Sequence, residues 1–110
     1  MNDKILLKGT PASLGLVNGK VKKIVFPYDF TGFEQGSILV TEMTSPLFIP
    51  VMKKAGAVVT DIGGLLCHAA IVSREFGIPC IVNTGNGTQI LKDGQSITVN
   101  ATKGEIYETK

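Results

Sequence analysis

With 110 residues, 44% of them hydrophobic and 18% charged, the chain has the balance of one globular domain and too little length for a nucleotide-binding domain and a substrate domain together. Eleven Lys and Arg against nine Asp and Glu leave a net charge of +2, Trp is absent, and the basic residues are dispersed apart from the pairs Lys22-Lys23 and Lys53-Lys54, which excludes an extended nucleic-acid footprint. Met1 is followed by polar residues and then a short apolar pair, so neither a secretory leader nor a membrane span is expected, and the cytoplasm is the expected compartment.

Strands are expected where Val, Ile and Leu recur between glycine-marked turns, at 5–8, 19–25, 38–41, 57–60, 80–82, 96–99 and 105–107. Between the third and fourth of these, Pro50 suits the first turn of a short helix that runs to Lys54 and closes at Gly56. Pro46 and Pro50 cannot both lie deep in one helix. A second helix is predicted over 68–76, ended by Gly77 and then Pro79, and a brief helical turn over 88–91. The last two strands form a pair across 100–104. Strands first and helix–strand alternation afterwards predict an α/β domain with a mixed sheet, a single unit over 1–110 without repeats or linkers.

The chain's one histidine, His68, stands between the glycine pair Gly63-Gly64 and the predicted start of the second helix. Neutral imidazole is nucleophilic near physiological pH, and a helix start offers free N–H groups and a positive dipole end to an anion. Steps of about 100° along that helix put Ala69, Val72 and Phe76 on one apolar face, with His68 at its edge and reachable from solvent. The glycines would let the backbone turn tightly and approach a phosphate. The pattern suits a histidine that carries a phosphoryl group, set against the plainer reading of a helix-cap or packing residue.

Cys67 reads either as a thiol with lowered pKa at the helix start or as a small buried neighbour, and no second histidine is present to serve a thiol nucleophile as base. Cys80, in an apolar strand, is expected in the core, and both thiols are expected to be free. Cys67, His68 and Cys80 lack a fourth ligand and any zinc spacing, so no metal site is expected. Thr60 and Asp61 end a strand; each could orient the imidazole or bond a phosphate, and each could equally serve a turn. Arg74 points about 120° away from His68 along the helix, so with Glu75 it is expected at a surface or interdomain ion pair that docks the domain, not as a phosphate clamp. Gly85-Asn86-Gly87 lacks the Lys-Ser/Thr of a phosphate loop and reads as a turn.

The run from Thr60 to Glu75, continued by Phe76-Gly77-Ile78-Pro79-Cys80-Ile81-Val82, resembles the phosphohistidine swivelling domain of phosphoenolpyruvate-utilising enzymes. That family's signature is a glycine pair, two residues, Ser or Cys, His, Ala, Ala, Ile, then Ala-Arg-Glu and Gly-Ile-Pro. The stretches Val40-Thr41-Glu42-Met43-Thr44-Ser45-Pro46, Pro50-Val51-Met52-Lys53-Lys54-Ala55 and Leu91-Lys92-Asp93-Gly94 are most similar to its phosphoenolpyruvate synthase branch. The resemblance implies a swivelling β/β/α fold with His68 as the phosphorylated residue. It implies two partners, an ATP-grasp nucleotide-binding domain and a barrel domain that binds pyruvate or phosphoenolpyruvate. ATP and Mg²⁺ are then expected in the partner, with no cofactor bound by this chain.

In the synthase and in pyruvate phosphate dikinase, the histidine takes the β-phosphoryl of ATP, AMP leaves, and loss of the terminal phosphate gives the phosphohistidine that serves pyruvate. The Leu65-Leu66 pair is also similar to rifampicin phosphotransferase, which passes the group to an antibiotic hydroxyl. A non-catalytic docking or regulatory module that keeps the fold is the remaining alternative. Three positions depart from the family pattern: Leu66 where Thr is frequent, Ser73 where Ala is usual, and Asn83 where Gly is common.

Overall fold

The structure, a computed structural model, describes residues 4–109. The strands are β1 (Ile5–Lys8), β2 (Thr10–Ser13), β3 (Leu16–Lys23), β4 (Ile38–Thr41), β5 (Ala57–Thr60), β6 (Cys80–Val82), β7 (Ser96–Asn100) and β8 (Glu105–Glu108). A 3₁₀ turn (Pro46–Phe48) precedes α1 (Ile49–Met52), and α2 (His68–Phe76) and α3 (Gly87–Ile90) follow. They form a mixed sheet in the order β1-β8-β7-β3-β4-β5-β6-β2.

The long strand β3 joins two halves of this sheet. Its first part, 16–20, pairs antiparallel with β7, and its last part, 21–23, pairs parallel with β4. Strands β4, β5 and β6 then run parallel, as the helix–strand alternation requires. All residues of β4, β5 and β6 are buried, and their alternation sorts them into two cores. Leu39, Val58, Cys80 and Val82 face the helices together with Met52, Ala69, Ala70 and Val72. Ile38, Val40, Ala57, Val59 and Ile81 face the antiparallel half and meet Ile97, Val99 and Ile106. The result is the β/β/α layering that the resemblance implies. Each fully buried Val, Ile or Leu contributes about 1.5–3 kcal/mol relative to exposure.

Two expectations need correction. Strand β2 was not foreseen, because Pro11 and small residues hide it; it is an edge strand paired only with β6, where a missing N–H costs little. The strand expected at 19–25 lies at Leu16–Lys23, drawn toward its start by pairing with β7. The two prolines are reconciled by two short helices, Pro46 opening the 3₁₀ turn and Pro50 in the first turn of α1.

Helix α2 has the predicted bounds and packs on β6, β2 and β5. Its buried face is Ala69, Ala70, Val72 and Ser73, while Phe76 is 37% exposed, so the apolar stripe sits slightly earlier than the spacing suggested. Gly77 ends it in the left-handed region (φ 70°), with Gly77 N donating to Arg74 O and Ile78 N to Ser73 O, the paired bonds of a Schellman turn. No helix among the described residues is long and apolar enough to cross a membrane.

Candidate active site

Because β4, β5 and β6 are parallel, the segments that leave their C-terminal ends gather at one edge of the sheet, where open α/β sheets place their sites. Asp61 N donates to Thr41 O and Ile62 N to Glu42 O, so the segment after β5 stays zipped to the segment after β4 for two residues beyond the strands. Gly63 then turns the chain at φ 131°, a conformation L side chains rarely adopt, and a Cβ there would lie 2.9 Å from Cys67 Sγ. Gly64 has open space around it and no such requirement. Cys67 N donates to Gly64 O, closing a turn whose two central residues are Leu65 and Leu66.

Cys67 is the extended residue that caps α2, and no side chain satisfies the helix start. The first amides of α2 therefore remain available to an anion beside His68. His68 is half-buried, as the edge-of-face reading requires. Its Nδ1 lies 2.8 Å from Oγ1 of Thr44, a residue only 7% exposed. Among the described residues none bonds Nε2, the other ring nitrogen. Beside the ring is a cleft of about 270 Å³ lined by Met43, Thr44, Ile62, Gly63, Cys67, His68 and Ala69. None of these side chains carries a fixed charge, and none offers the carboxylate oxygens a hard cation needs. Among the described residues no group of three or more His, Cys, Asp and Glu could hold a metal ion.

The structure brings some of the sequence-selected residues to the imidazole and not others. Gly63, Cys67 and His68 share the cleft, with Gly64 in the adjoining turn. Thr60 is fully buried and its hydroxyl donates to Ile62 O at 2.7 Å, so it shapes the turn and does not touch the ring. Asp61 accepts from Thr88 N and Thr88 Oγ1 and so caps α3. The residue that sequence reasoning missed is Thr44; its only signal was a place in the Val40–Pro46 stretch of the resemblance.

Arg74 does not reach His68. Its guanidinium donates to Leu65 O at 2.7 Å and Ala12 O at 2.9 Å, tying α2 to the turn before His68 and to β2, so carbonyls and not a carboxylate are its partners. Glu75 is exposed on the same helix. Both cysteines are free; Cys80 is buried, which pushes its thiol up to about 12, offset in part by the Ser73 hydroxyl. Ser73 is fully buried, and its Oγ has no well-formed hydrogen bond. Asn83 takes φ 60°, so the family's glycine is replaced by one of the few L residues that tolerate the left-handed region.

The sequence model described as PEP-utilising enzyme, mobile domain, matches residues 33–104, which include the cleft, Thr44 and His68. A probable phosphoenolpyruvate synthase of Archaeoglobus fulgidus is 54% identical over 96% of this chain, and the match covers 14% of that relative. The phosphoenolpyruvate synthase of Pyrococcus furiosus is 48% identical over 96% of the chain and 13% of its own length. The chain thus spans only 13–15% of the curated relatives it matches. Among solved structures, an Enzyme I protein studied by NMR superposes with a TM-score of 0.60 at 28% identity, covering 69% of this chain and 32% of that one. The sequence match across the site, the β/β/α layers and the shared fold agree, and the chain belongs to the mobile-domain family of PEP-utilising enzymes.

Proposed function

We propose that this chain is the phosphocarrier domain of a phosphoenolpyruvate synthase-like phosphotransferase, with Nε2 of His68 as the carrying atom. The observation that carries this reading is the 2.8 Å contact between Thr44 Oγ1 and His68 Nδ1 at an uncapped helix start. When Nδ1–H donates to Thr44, the lone pair is on Nε2, and the ring is held in the tautomer a nucleophile requires. Nε2 attacks the β-phosphorus of ATP, a P–N bond forms, and the P–O bond to AMP breaks with the electron pair leaving on AMP. Water then removes the terminal phosphate. The remaining phosphoryl passes to an acceptor: in this reading a base of the acceptor domain takes a methyl proton from pyruvate, the enolate oxygen bonds to phosphorus, and the P–N bond breaks with its electron pair returning to Nε2.

The amides of α2 and the backbone at Gly63 and Gly64 are the groups that would receive phosphate oxygens, with Thr60 and Cys67 shaping the segment that presents them. ATP and Mg²⁺ belong to an ATP-grasp partner, and pyruvate to a barrel partner. The small share of each relative's length that this chain spans supports such additional domains. Arg74 and Glu75 would lie near a docking edge, and a cytoplasmic location follows from the need for ATP. Transfer to an antibiotic hydroxyl is the alternative acceptor chemistry, suggested by the Leu65-Leu66 pair.

The test mixes the chain with its ATP-grasp partner and ATP labelled at the β-phosphate and measures acid-labile label. Label on wild type and none on His68→Ala is expected, with no label when the partner is left out. Absence of label on wild type, or equal label on His68→Ala, would overturn the carrier reading.

A further inference from the structure

The cleft beside His68 carries no charged lining, yet a phosphoryl group brings about two negative charges. Arg74, the chain's one arginine, has its guanidinium occupied by two carbonyls. The cleft lining itself therefore supplies no cation to neutralise the phosphoryl group. Large apolar side chains stand exposed around the same cleft. Met43 and Ile62 on its walls are 48% and 47% exposed, and Leu65 and Leu66, at the tip of the turn that leads into His68, are 53% and 85% exposed. A domain that leaves Leu66 almost bare two residues before His68 is presenting it to something.

Resting on the carrier reading above, we propose that Met43, Ile62, Leu65 and Leu66 form an apolar collar that docks on the phosphoryl-donor domain of the same enzyme, around the mouth of its nucleotide site. The donor's surface is then a cationic floor ringed by apolar residues. Two features select this occupant. Met43 and Ile62 line the same cleft as His68 and Leu65 and Leu66 form the turn that leads into it, and the relatives hold most of their length outside this segment. The donor also meets the carrier while His68 is unphosphorylated, the state in which the face has no phosphoryl charge and apolar contact is the attraction it offers. An acceptor site meets the same face bearing a dianion and can use charge instead. Arg74 gives the collar a fixed shape by holding Leu65 O.

The test compares three forms of the chain: wild type, the double variant Leu65→Ser with Leu66→Ser, and a control with Leu14→Ser and Leu16→Ser. Leu14 and Leu16 are 71% and 67% exposed; Leu16 opens β3 and Leu14 precedes it, at the end of that strand remote from its pairing with β4. Each form is phosphorylated in two ways: with phosphoramidate, a small donor that needs no docking, and with the donor domain and β-labelled ATP. The expected result for Leu65→Ser with Leu66→Ser is an unchanged phosphoramidate rate and at least tenfold less donor-driven labelling at low carrier concentration, recovered at high concentration. The control should label like wild type in both assays.

Unchanged donor-driven labelling of the collar variant overturns the proposal, as does an equal loss in the control. A parallel fall in the phosphoramidate rate also overturns it, because the turn would then be ordering His68 and not docking it. Normal labelling followed by failure to pass the group on would assign the collar to the acceptor domain and overturn the choice of donor. If wild type is labelled at His68 neither by phosphoramidate nor by the donor domain with ATP, the carrier reading itself fails, independently of the collar.

Discussion

Thr44 is 24 residues from His68 in the chain, yet its hydroxyl is the partner that sets the imidazole's orientation. The placement of His68 at the start of α2, half-buried beside a cleft, was legible from local pattern, since the glycine pair ahead of it and the apolar stripe after it mark a helix start without any knowledge of the fold. Thr44 was not, because it meets the ring through the register of β4 against β5 and the hydrogen bonds that continue it, which no short spacing encodes. Leu66, standing where the family often has threonine, put a hydroxyl bond to the imidazole in question; the structure supplies that bond from the neighbouring segment. Thr44→Val keeps the shape and removes the hydroxyl. Loss of one hydrogen bond worth about 0.5–1.5 kcal/mol should slow phosphorylation of His68 roughly two- to thirteenfold. Nitrogen-15 NMR should then find the ring shifted from one tautomer to a mixture, and an unchanged rate and tautomer ratio would remove Thr44 from the mechanism.

Helix α2 was readable to the residue because its signals are local: a glycine pair ahead of it, an apolar stripe within it, and Gly77 and Pro79 after it. Strand β2 was invisible for the converse reason, since only its pairing with β6 makes a strand of Thr-Pro-Ala-Ser. Arg74 links these two elements, bonding Ala12 O on β2 and Leu65 O in the turn before α2. Helix geometry was sufficient to keep it away from His68, but its partners are carbonyls set by tertiary packing, and sequence reasoning had assigned it an ion pair. A planar guanidinium reaches two carbonyls in a way one ammonium cannot. Arg74→Lys should therefore loosen the turn while leaving the fold in place. The Cys67 amide, which closes that turn on Gly64 O, should exchange about fivefold faster with solvent deuterium, corresponding to about 1 kcal/mol of local stability. Exchange at the wild-type rate would show that the turn holds its shape without Arg74.

On the proposed carrier reading, one atom is presented to two different sites, so the domain has to move as a rigid body and its layers must not come apart separately. The sheet meets this need through β3, which pairs with β7 in one half and β4 in the other and so belongs to both cores. The helix-facing core and the inter-sheet core share β4, β5 and β6, whose alternate residues enter one and then the other. Weakening either core should then lower the stability of both. Met52 and Ile97 are fully buried, one in each core, and Met52→Ala and Ile97→Ala should each cost about 2–5 kcal/mol. In both variants the amides of Val72 in α2 and Val99 in β7 should lose exchange protection by the same free energy, and circular dichroism should record one transition. If Ile97→Ala released Val99 and left Val72 protected, the two layers would be separate cooperative units, and rigid-body transport of His68 would need a support other than β3.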